Sequence, residues 1–372
     1  MSVTIESNFS RRAFLAGSTV AAAALAARPV FGQAAPEPKK LGYAIVGIGS
    51  LSMHQILPGF AKAKLSKPVA LVSGHPDKAK QQAALYNIDP KYIYSYENYD
   101  KIKDNPDIDV VYVVLPNSMH AEYTIRAAKA GKHVLCEKPM ACSVADCQAM
   151  IDACNAAKRK LLIAYRMHYD PITQNAIKLA HSDSDIGKLK MITAECGFVM
   201  GDPTQWRCNK ALAGGGSMMD IGIYALNAAR FLSGEEPAEL AAVTYTTPKD
   251  PRFKDIEETI NFEIKFPSGV VGSVVSSYGF SCGRFRVYGT RGSFESEPFQ
   301  SYTGNHLYQN RRGRTEVPYT PVDQFAAEMD HLSECIMQDK IPLTAGEEGL
   351  KDIKLIMAAY ESAATGKTIK FT

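Results

Sequence analysis

Residues 41–52, with the sequence LGYAIVGIGSLS, decide the fold of this 372-residue chain. The first six are mostly apolar and predict a buried strand, and a G-x-G-x-x-S pattern follows where that strand ends. Gly47 permits a tight turn, Gly49 lets the backbone approach a pyrophosphate, and the small Ser52 opens a helix. The alternative is a plain strand-to-helix turn. The residues expected to contact a dinucleotide here are Gly47, Gly49, Ser50 and Leu51.

Downstream, short apolar runs alternate with helical stretches. The predicted strands are Leu41–Gly47, Val69–Ser73, Asp109–Leu115, His133–Cys136 and Lys160–Tyr165. The predicted helices are Asp77–Asn87, His120–Ala130 and Ser143–Ala157. This alternation predicts an α/β Rossmann domain with a doubly wound parallel sheet over residues 41–165.

After Asp170 the pattern changes to closely spaced strands with short turns. The predicted strands are Leu189–Val199, Leu240–Thr246, Thr259–Phe266, Val270–Ser277, Arg284–Gly289 and Gly292–Glu297. They predict an α+β domain over residues 166–372, with a mostly antiparallel open sheet. We assign substrate binding and oligomerisation to this domain, because the exposed face of an open sheet favours a homodimer or homotetramer.

The chain begins with a pattern typical of a twin-arginine signal peptide. Arg11 and Arg12 precede an uncharged, alanine-rich run over residues 13–27, and small residues follow near position 32. We therefore predict a signal over residues 1–32, an arm over residues 33–40, recognition by the twin-arginine translocation machinery, and a periplasmic location. The alternative is an amphipathic or anchoring N-terminal helix. Because this pathway carries folded proteins, a cofactor can be inserted before export.

Composition narrows the class of protein. The formal net charge is +3, and 46% of the residues are hydrophobic, enough for two cores. Nothing in this balance favours nucleic acid or an acidic membrane surface. The eight cysteines form no C-x-x-C pair and no zinc-like spacing, so we predict small buried thiols, without disulfides or metal.

The second predicted strand ends without the carboxylate that NAD-selective enzymes offer to the adenosine ribose. The residues there are Ser73, Gly74 and His75, with Lys78 close behind. Ser73, the loop amides and Lys78 can bind a 2′-phosphate, which favours NADP over NAD. Lys80 is better explained as part of a solvated helix face.

Several further motifs carry a family resemblance. They are LPNSMH at 115–120, CEKPM at 136–140, YRMHYDP at 165–171, WR at 206–207 and GGGSMMDIGIY at 214–224. With the glycine pattern, they resemble the Gfo/Idh/MocA oxidoreductase family, which groups glucose-fructose oxidoreductase with inositol dehydrogenase. The similarity covers essentially the whole chain after the signal, and it is greatest to the exported glucose-fructose oxidoreductases. It implies that Lys138 lies beside the nicotinamide and the substrate.

Lys138, Asp220 and Tyr224 are the predicted catalytic residues. Lys138 ends a central strand, at the edge where such sheets bind ligands. Asp220 and Tyr224 are four residues apart, on one face of a predicted helix. We expect the lysine charge to favour the phenolate of Tyr224, making it a proton shuttle, and Asp220 to orient Lys138 or to bond a sugar hydroxyl. The alternatives are a surface lysine, a helix cap and a packed aromatic ring.

The remaining candidates belong to the same motifs. Those expected at the cofactor are Leu115, Pro116, Asn117, His120, Glu137, Lys138 and Arg166. The alternatives are a helix cap for His120 and a role at the strand end, in place of the cofactor amide, for Glu137. Those expected at the sugar are Tyr169, Trp206 and Arg207, together with Lys138, Asp220 and Tyr224. Core or interface packing is the alternative for Arg166, Tyr169, Trp206 and Arg207.

The sequence thus predicts an exported NADP-containing enzyme that oxidises an aldose to its lactone and passes the hydride to a second sugar or carbonyl compound. Its arm of about eight residues is shorter than the cofactor-covering arm of the exported glucose-fructose type, which weakens the expectation of tight retention. The alternatives are a sugar dehydrogenase with exchangeable cofactor, a glycosidase using transient oxidation, and a periplasmic sugar-binding protein with a structural nucleotide. The sequence does not identify the sugars.

Overall fold

The computed structural model describes residues 39–371, so the predicted signal peptide and most of the arm lie outside the described residues. Within that range the chain forms one six-stranded sheet and one nine-stranded sheet. Every strand pair of the first sheet is parallel, and all but one pair of the second are antiparallel. The predicted fold class is confirmed.

The first sheet has the strand order β3-β2-β1-β4-β5-β6. Its strands are β1 (Leu41–Val46), β2 (Ser66–Val72), β3 (Ile93–Tyr94), β4 (Val110–Val113), β5 (His133–Glu137) and β6 (Leu161–Ala164). All six residues of β1 are buried, and alternate residues join different hydrophobic clusters. Such a strand must be covered on both faces, which explains its continuous apolar sequence.

Helices pack against both sheets. After a π-helical turn at Ser52–Ile56, the helices are α1 (Leu57–Gly59), α2 (Pro76–Leu85), α3 (His120–Lys129), α4 (Val144–Ala156), α5 (Pro171–Ala180), α6 (Lys210–Ala213), α7 (Ile223–Ser233), α8 (Gln324–Met337) and α9 (Gly346–Thr365). Although α8 belongs to the later part of the chain, it packs on the first sheet. Tyr43 of β1 donates to the Met329 carbonyl at 2.7 Å. The two halves of the chain are therefore interlocked.

The second sheet has the order β14-β13-β12-β11-β7-β10-β9-β8-β15. Its strands are β7 (Leu189–Gly197), β8 (Glu239–Tyr245), β9 (Thr259–Lys265), β10 (Val271–Ser277), β11 (Cys282–Gly289), β12 (Ser293–Ser296), β13 (Leu307–Asn310), β14 (Arg314–Glu316) and β15 (Ile369–Lys370). In β9, Ile260, Phe262 and Ile264 are buried, whereas Asn261 and Glu263 are exposed. This alternation is typical of a sheet with one covered face.

Across residues 39–371, no helix combines the length and the apolar composition that a membrane crossing requires. All eight cysteines fall in this range, and none is paired with another. Burial raises the pKa of several of their thiols, for example that of Cys147 to about 12. In the same range, no cluster of three or more His, Cys, Asp or Glu side chains is arranged to hold a metal ion.

Candidate active site

The glycine turn lies at the carboxyl end of β1. Gly47 has φ +94°, and a Cβ there would lie 2.2 Å from the Val114 carbonyl oxygen, so a side chain fits neither the backbone conformation nor the space. The Ser52 hydroxyl donates to the Gly47 carbonyl at 2.6 Å and fixes the turn. A Cβ at Gly49 would meet nothing within 4 Å, which leaves this side of the turn open to a ligand.

The predicted ribose-binding residues lie beside this turn. Ser73 is buried, and its oxygen accepts a hydrogen bond from the His75 amide at 3.0 Å, so its hydroxyl hydrogen remains available to donate. The Lys78 ammonium donates to the Ile48 carbonyl at 3.4 Å, within the glycine turn. An open glycine turn flanked by a hydroxyl donor and an ammonium fits a nicotinamide dinucleotide with a 2′-phosphate.

The loop after β4 is held by side chains that the sequence assigned to the cofactor. His120 is buried, with Nδ1 2.8 Å from the Pro139 carbonyl and Nε2 2.9 Å from the Leu115 carbonyl. Asn117, which follows Pro116, donates to the Ala213 carbonyl at 2.8 Å. His120 does not cap α3, whose N-cap residue is Met119. It joins the two loops that border the glycine turn and Lys138.

Lys138 follows β5 directly, and its side chain is 12% exposed. Its ammonium donates to the main-chain carbonyl of Asp220 at 2.6 Å and lies 3.8 Å from Asp220 Oδ1. The same atom lies 4.7 Å from the centre of the Tyr224 ring. The three residues predicted as catalytic are therefore brought together, and the alternative of a surface lysine is excluded.

Asp220 is the centre of a small polar cluster. Its Oδ2 accepts from Arg207 Nε at 2.9 Å and from the Tyr278 hydroxyl at 3.0 Å. Burial alone would raise the pKa of Asp220, but the charges of Arg207 and Lys138 and the Tyr278 hydrogen bond together lower it. Burial lowers the pKa of Lys138, and Asp220 opposes that effect. An ammonium whose pKa burial lowers thus lies beside a carboxylate whose pKa its cationic neighbours lower.

The helical segment that carries Asp220 begins at a carboxylate anchor. Glu257 accepts hydrogen bonds from the amides of Gly216 and Met218, at 2.8 and 2.9 Å, and from the Tyr360 hydroxyl at 2.9 Å. A Cβ at Gly216 would lie 2.0 Å from the Glu257 carbonyl oxygen, so only glycine allows this approach. The segment forms a π-helical turn, Met218–Gly222, before α7. Asp220 lies inside this turn and is not a helix cap.

Tyr224 lies between two cations. The Arg166 guanidinium lies 5.1 Å from the ring centre, close to the 4.7 Å of the Lys138 ammonium. Burial nevertheless raises the pKa of Tyr224 well above its ordinary value, against the influence of Arg166. The expectation that the lysine charge favours the phenolate is therefore wrong, because desolvation outweighs it. Tyr224 is a phenol, hence a hydrogen-bond donor.

Arg166 was predicted to contact the cofactor, but its guanidinium is bonded mainly to other residues of the protein. Its guanidinium donates to Gln324 Oε1 and to the Gln300 carbonyl, and it is 5% exposed. It also stacks on Tyr302, with 4.6 Å from the guanidinium carbon to the ring centre. Its donors are largely taken up by the protein. Arg166 therefore shapes the wall of the site through Tyr224 and Tyr302.

The predicted sugar-binding residues separate into two groups. Arg207 stacks on the Trp206 ring at 4.5 Å and bonds Asp220, so both residues border the catalytic cluster. Tyr169 does not reach it. The Tyr169 hydroxyl lies 3.0 Å from Thr344 Oγ1, and its ring packs against His331 at 5.1 Å. The core under α8 holds this side chain, so its assignment to the sugar is corrected to core packing.

For Glu137 the sequence left two roles open, a contact with the cofactor amide or a place at the strand end, and its contacts fit the second. It is buried, and its Oε1 accepts from the Tyr112 hydroxyl at 2.8 Å. Two residues at the site were not predicted at all, Tyr278 and Tyr302. Tyr278 follows β10 and Tyr302 lies between β12 and β13, far from the motifs in sequence. No local pattern distinguishes them from packed aromatics.

Comparisons with known proteins agree with this geometry. A family model described as an oxidoreductase family with an NAD-binding Rossmann fold matches residues 41–165. A second, described as the C-terminal alpha/beta domain of an oxidoreductase family, matches residues 182–371.

Similar individual proteins span almost the whole chain. The crystal structure of an aldose-aldose oxidoreductase from Caulobacter crescentus, complexed with glycerol, is 48% identical with a TM-score of 0.88 and covers 90% of this chain and 100% of that one. An NADP(+) D-xylose 1-dehydrogenase from Haloarcula marismortui is 31% identical over 336 residues, 88% of this chain and 92% of its own length. A 1,5-anhydro-D-fructose reductase from Ensifer adhaerens is 25% identical over 332 residues, 87% of this chain and 97% of its own length.

Proposed function

Because the chain belongs to the Gfo/Idh/MocA oxidoreductase family, we propose that it oxidises an aldose to its lactone with tightly bound NADP and passes the hydride to a second sugar or carbonyl compound. The observation that carries the proposal is the position of Lys138. Its ammonium bonds the Asp220 carbonyl and lies over Tyr224, at the sheet edge that also holds the glycine turn.

The relatives support the substrate class. A sugar is the substrate named for the aldose-aldose oxidoreductase and for the D-xylose dehydrogenase, and the latter is named for NADP(+). An aldose-aldose enzyme uses one class of sugar as both hydride donor and hydride acceptor. We extend this property to the present chain as the reaction to be tested.

The chain's own residues hold the cofactor and move the proton. Gly47, Gly49 and the adjoining backbone would hold the pyrophosphate, and Ser73 and Lys78 would hold the 2′-phosphate; the open side of the turn and the free Ser73 hydrogen support this. When bound, the nicotinamide supplies a hydride acceptor for the oxidative half-reaction and a hydride donor for the reductive one. Everything else in the site concerns the sugar and its proton.

Lys138 and Tyr224 have different roles at the oxygen atom that gains or loses the proton. With its pKa lowered, Lys138 accepts the sugar hydroxyl proton during oxidation and returns a proton to the carbonyl oxygen during reduction. Tyr224 remains a phenol and donates a hydrogen bond to the same oxygen, which stabilises the charge that develops there. Asp220 holds Lys138 through its carbonyl, and Arg207 and Trp206 provide the polar group and ring face that a pyranose requires.

Ser73→Asp tests the cofactor assignment. The added carboxylate would face the 2′-phosphate, so we expect at least about tenfold weaker NADP binding, which corresponds to about 1.4 kcal/mol, and a shift of preference toward NAD. The measurement is the dissociation constant of each nucleotide, determined on protein stripped of nucleotide. Lys80→Ala is the matched control, because Lys80 pairs only with exposed Asp77 on the outer face of α2. Unchanged NADP affinity in Ser73→Asp would place the phosphate elsewhere.

A single-turnover experiment tests the closed cycle. Purified protein mixed with an aldose alone is expected to develop NADPH absorbance equal to no more than one nucleotide per subunit. A ketose or second aldose should then remove that absorbance, giving ping-pong kinetics without added cofactor. The alternative function is a conventional dehydrogenase, as the name of the Haloarcula relative suggests. Oxidation that requires added NADP and continues for many turnovers would establish the alternative.

We propose two further properties with the same function. Export to the periplasm rests on the twin arginines in residues 1–32, and cell fractionation of the full-length protein and of an Arg11→Lys, Arg12→Lys variant tests it. Assembly into a homodimer or homotetramer rests on the open face of the second sheet, where Met191, Val271 and Tyr288 are aligned in register and exposed. Analytical ultracentrifugation measures this mass.

A further inference from the structure

Two carboxylates meet beneath the candidate active site. The Tyr112 hydroxyl, on β4, lies 2.8 Å from Glu137 Oε1 and 2.9 Å from Glu328 Oε1. Glu137 ends β5 and directly precedes Lys138, whereas Glu328 comes from α8. Both side chains are buried. We call these three residues the Tyr112 cluster.

The two distances limit the number of protons in the Tyr112 cluster. Both lie in the range of O–H···O hydrogen bonds, but a tyrosine hydroxyl has one hydrogen to donate. An ionised carboxylate only accepts. If both glutamates were ionised, one of the contacts would join two oxygens without a hydrogen between them. One carboxyl group must therefore be protonated and donate to the tyrosine oxygen.

Three observations identify Glu328 as the protonated acid. Its exposure is 0%, against 7% for Glu137. Its Oε2 is buried and has no hydrogen-bond partner among residues 39–371, which costs far less for a neutral acid than for an anion. Glu137 directly precedes Lys138 in the chain, and although burial raises its pKa, the charges of Lys138 and Arg166 and the Tyr112 hydrogen bond oppose that effect. Burial raises the pKa of Glu328 well above its ordinary range, and the charge of Glu137 raises it further.

We propose that the Tyr112 cluster carries a single negative charge, located on Glu137 and held there by neutral Glu328 through Tyr112, and that this charge sets the proton affinity of Lys138. Glu137 is thus a positioning residue for the proton rather than a ligand of the cofactor amide. The second half of this proposal rests on the function proposed above, in which Lys138 moves the proton. The first half is independent of it.

The surrounding charges are compatible with one negative charge in the Tyr112 cluster. Arg166 is a further cation whose charge acts on both glutamates, and the charge of Asp323, at the start of α8, acts on Glu328. Lys138 itself faces Asp220, Glu137, Arg207 and Tyr302. Two carboxylates, Asp220 and Glu137, therefore oppose the burial of one ammonium. Loss of either charge should make Lys138 easier to deprotonate.

Infrared spectroscopy of the purified full chain tests the protonation state without any turnover. The wild-type protein should show the carbonyl stretch of a buried carboxylic acid at neutral pH. Glu328→Gln should remove this band, and Glu137→Gln should retain a band from Glu328. Loss of the band in Glu137→Gln alone, or its absence from the wild-type protein, would overturn the assignment.

Titration of Lys138 tests the coupling. In protein with ¹³C-labelled lysine, the Nζ-adjacent carbon of Lys138, assigned with Lys138→Ala, should titrate at lower pH in Glu137→Gln than in the wild-type protein. Glu328→Gln should titrate as the wild type does, because a glutamine amide can donate to Tyr112 as the neutral acid does. Glu137→Asp, which keeps the charge, should restore most of the difference. Equal shifts in Glu137→Gln and Glu328→Gln would refute the proposal.

Single-turnover kinetics connects the same variants to the reaction. The oxidative half-reaction should speed up with pH as Lys138 loses its proton, and Glu137→Gln should move this limb toward acid by the amount seen in the lysine titration. If Glu137→Gln shifts the titration of Lys138 but not the pH dependence of the oxidative half-reaction, the charge assignment in the Tyr112 cluster stands. Lys138 is then rejected as the proton acceptor. An unshifted lysine titration would reject the coupling itself.

Discussion

Lys138→Ala is expected to lower turnover by about 10²–10⁴, and Tyr224→Phe to lower it by a similar factor, because positioned acid-base and hydrogen-bonding groups contribute about that much. Both residues lie at the centre of the site, with the Lys138 ammonium 4.7 Å from the Tyr224 ring centre. The measurement is steady-state turnover between two sugars. The nucleotide released on denaturation should be unchanged in both variants.

The two variants should differ in their dependence on pH. The pKa of Lys138 is lowered by burial, so the oxidative half-reaction should rise with pH through that pKa, and the reductive one should fall. Tyr224→Phe should keep the same dependence on pH at a lower overall rate, since the Tyr224 phenol stays protonated. Lys138→Ala should lose this dependence on pH. Near-normal turnover in Tyr224→Phe would transfer its role to another donor. Lys80→Ala, on the exposed face of α2, is the control that should leave turnover unaltered.

Arg230→Met is expected to destabilise the protein by about 3–5 kcal/mol, the usual result of removing one partner from a buried ion pair. Arg230 of α7 is 5% exposed, and its NH1 group donates to Asp352 of α9 at 2.7 Å. Asp352 is fully buried, so the variant leaves an uncompensated carboxylate in the core. The measurement is the free energy of unfolding in urea.

Lys351→Met is the matched control for this prediction. Lys351 contacts Glu236 and Glu348, the outer carboxylates that also pair with Arg230, but its side chain is 44% exposed. Pairs of this kind contribute at most about 1 kcal/mol, so the control should stay close to wild type. An equal loss of stability in both variants would mean that the outer carboxylates, and not Asp352, account for the effect.

The sequence predicted the strands and helices that lie in stretches long enough to show a regular pattern of apolar residues. Each of the eleven predicted strands is present, with ends that differ from the observed ones by at most three residues, for example Val69–Ser73 against the observed Ser66–Val72. The sequence missed β3, β14 and β15, which have only two or three residues each and show no alternation, and it also missed the four-residue β13. It also gave no sign that β7 and β10 are parallel, because pairing direction depends on distant connections.

The sequence identified the candidate-site residues that lie within its motifs. It did not identify the residues of the site that lie outside those motifs. Lys138, Asp220 and Tyr224 meet as predicted. Tyr278 and Glu328 reach the same region only through the tertiary fold, because Tyr278 follows β10 and Glu328 lies on α8, both distant in sequence from the motifs. Electrostatics was the weaker part of the prediction. The lysine charge near Tyr224 was inferred correctly, but desolvation, which reverses its effect on the phenol, depends on packing that a sequence does not display.

The hydrogen bond from Lys138 to Asp220 has an unusual genetic property, because its acceptor is a peptide carbonyl. Every amino acid supplies that oxygen, so no codon change at position 220 can delete the contact. Substitutions there would report on the carboxylate, which contacts Arg207 and Tyr278 and whose charge acts on Lys138, and would underestimate how strongly this residue holds the lysine. Sequence drift at position 220 is thus partly uncoupled from the position of the Lys138 side chain, and a peptide-bond isostere without a carbonyl oxygen, introduced by chemical synthesis, would be needed to remove the acceptor itself.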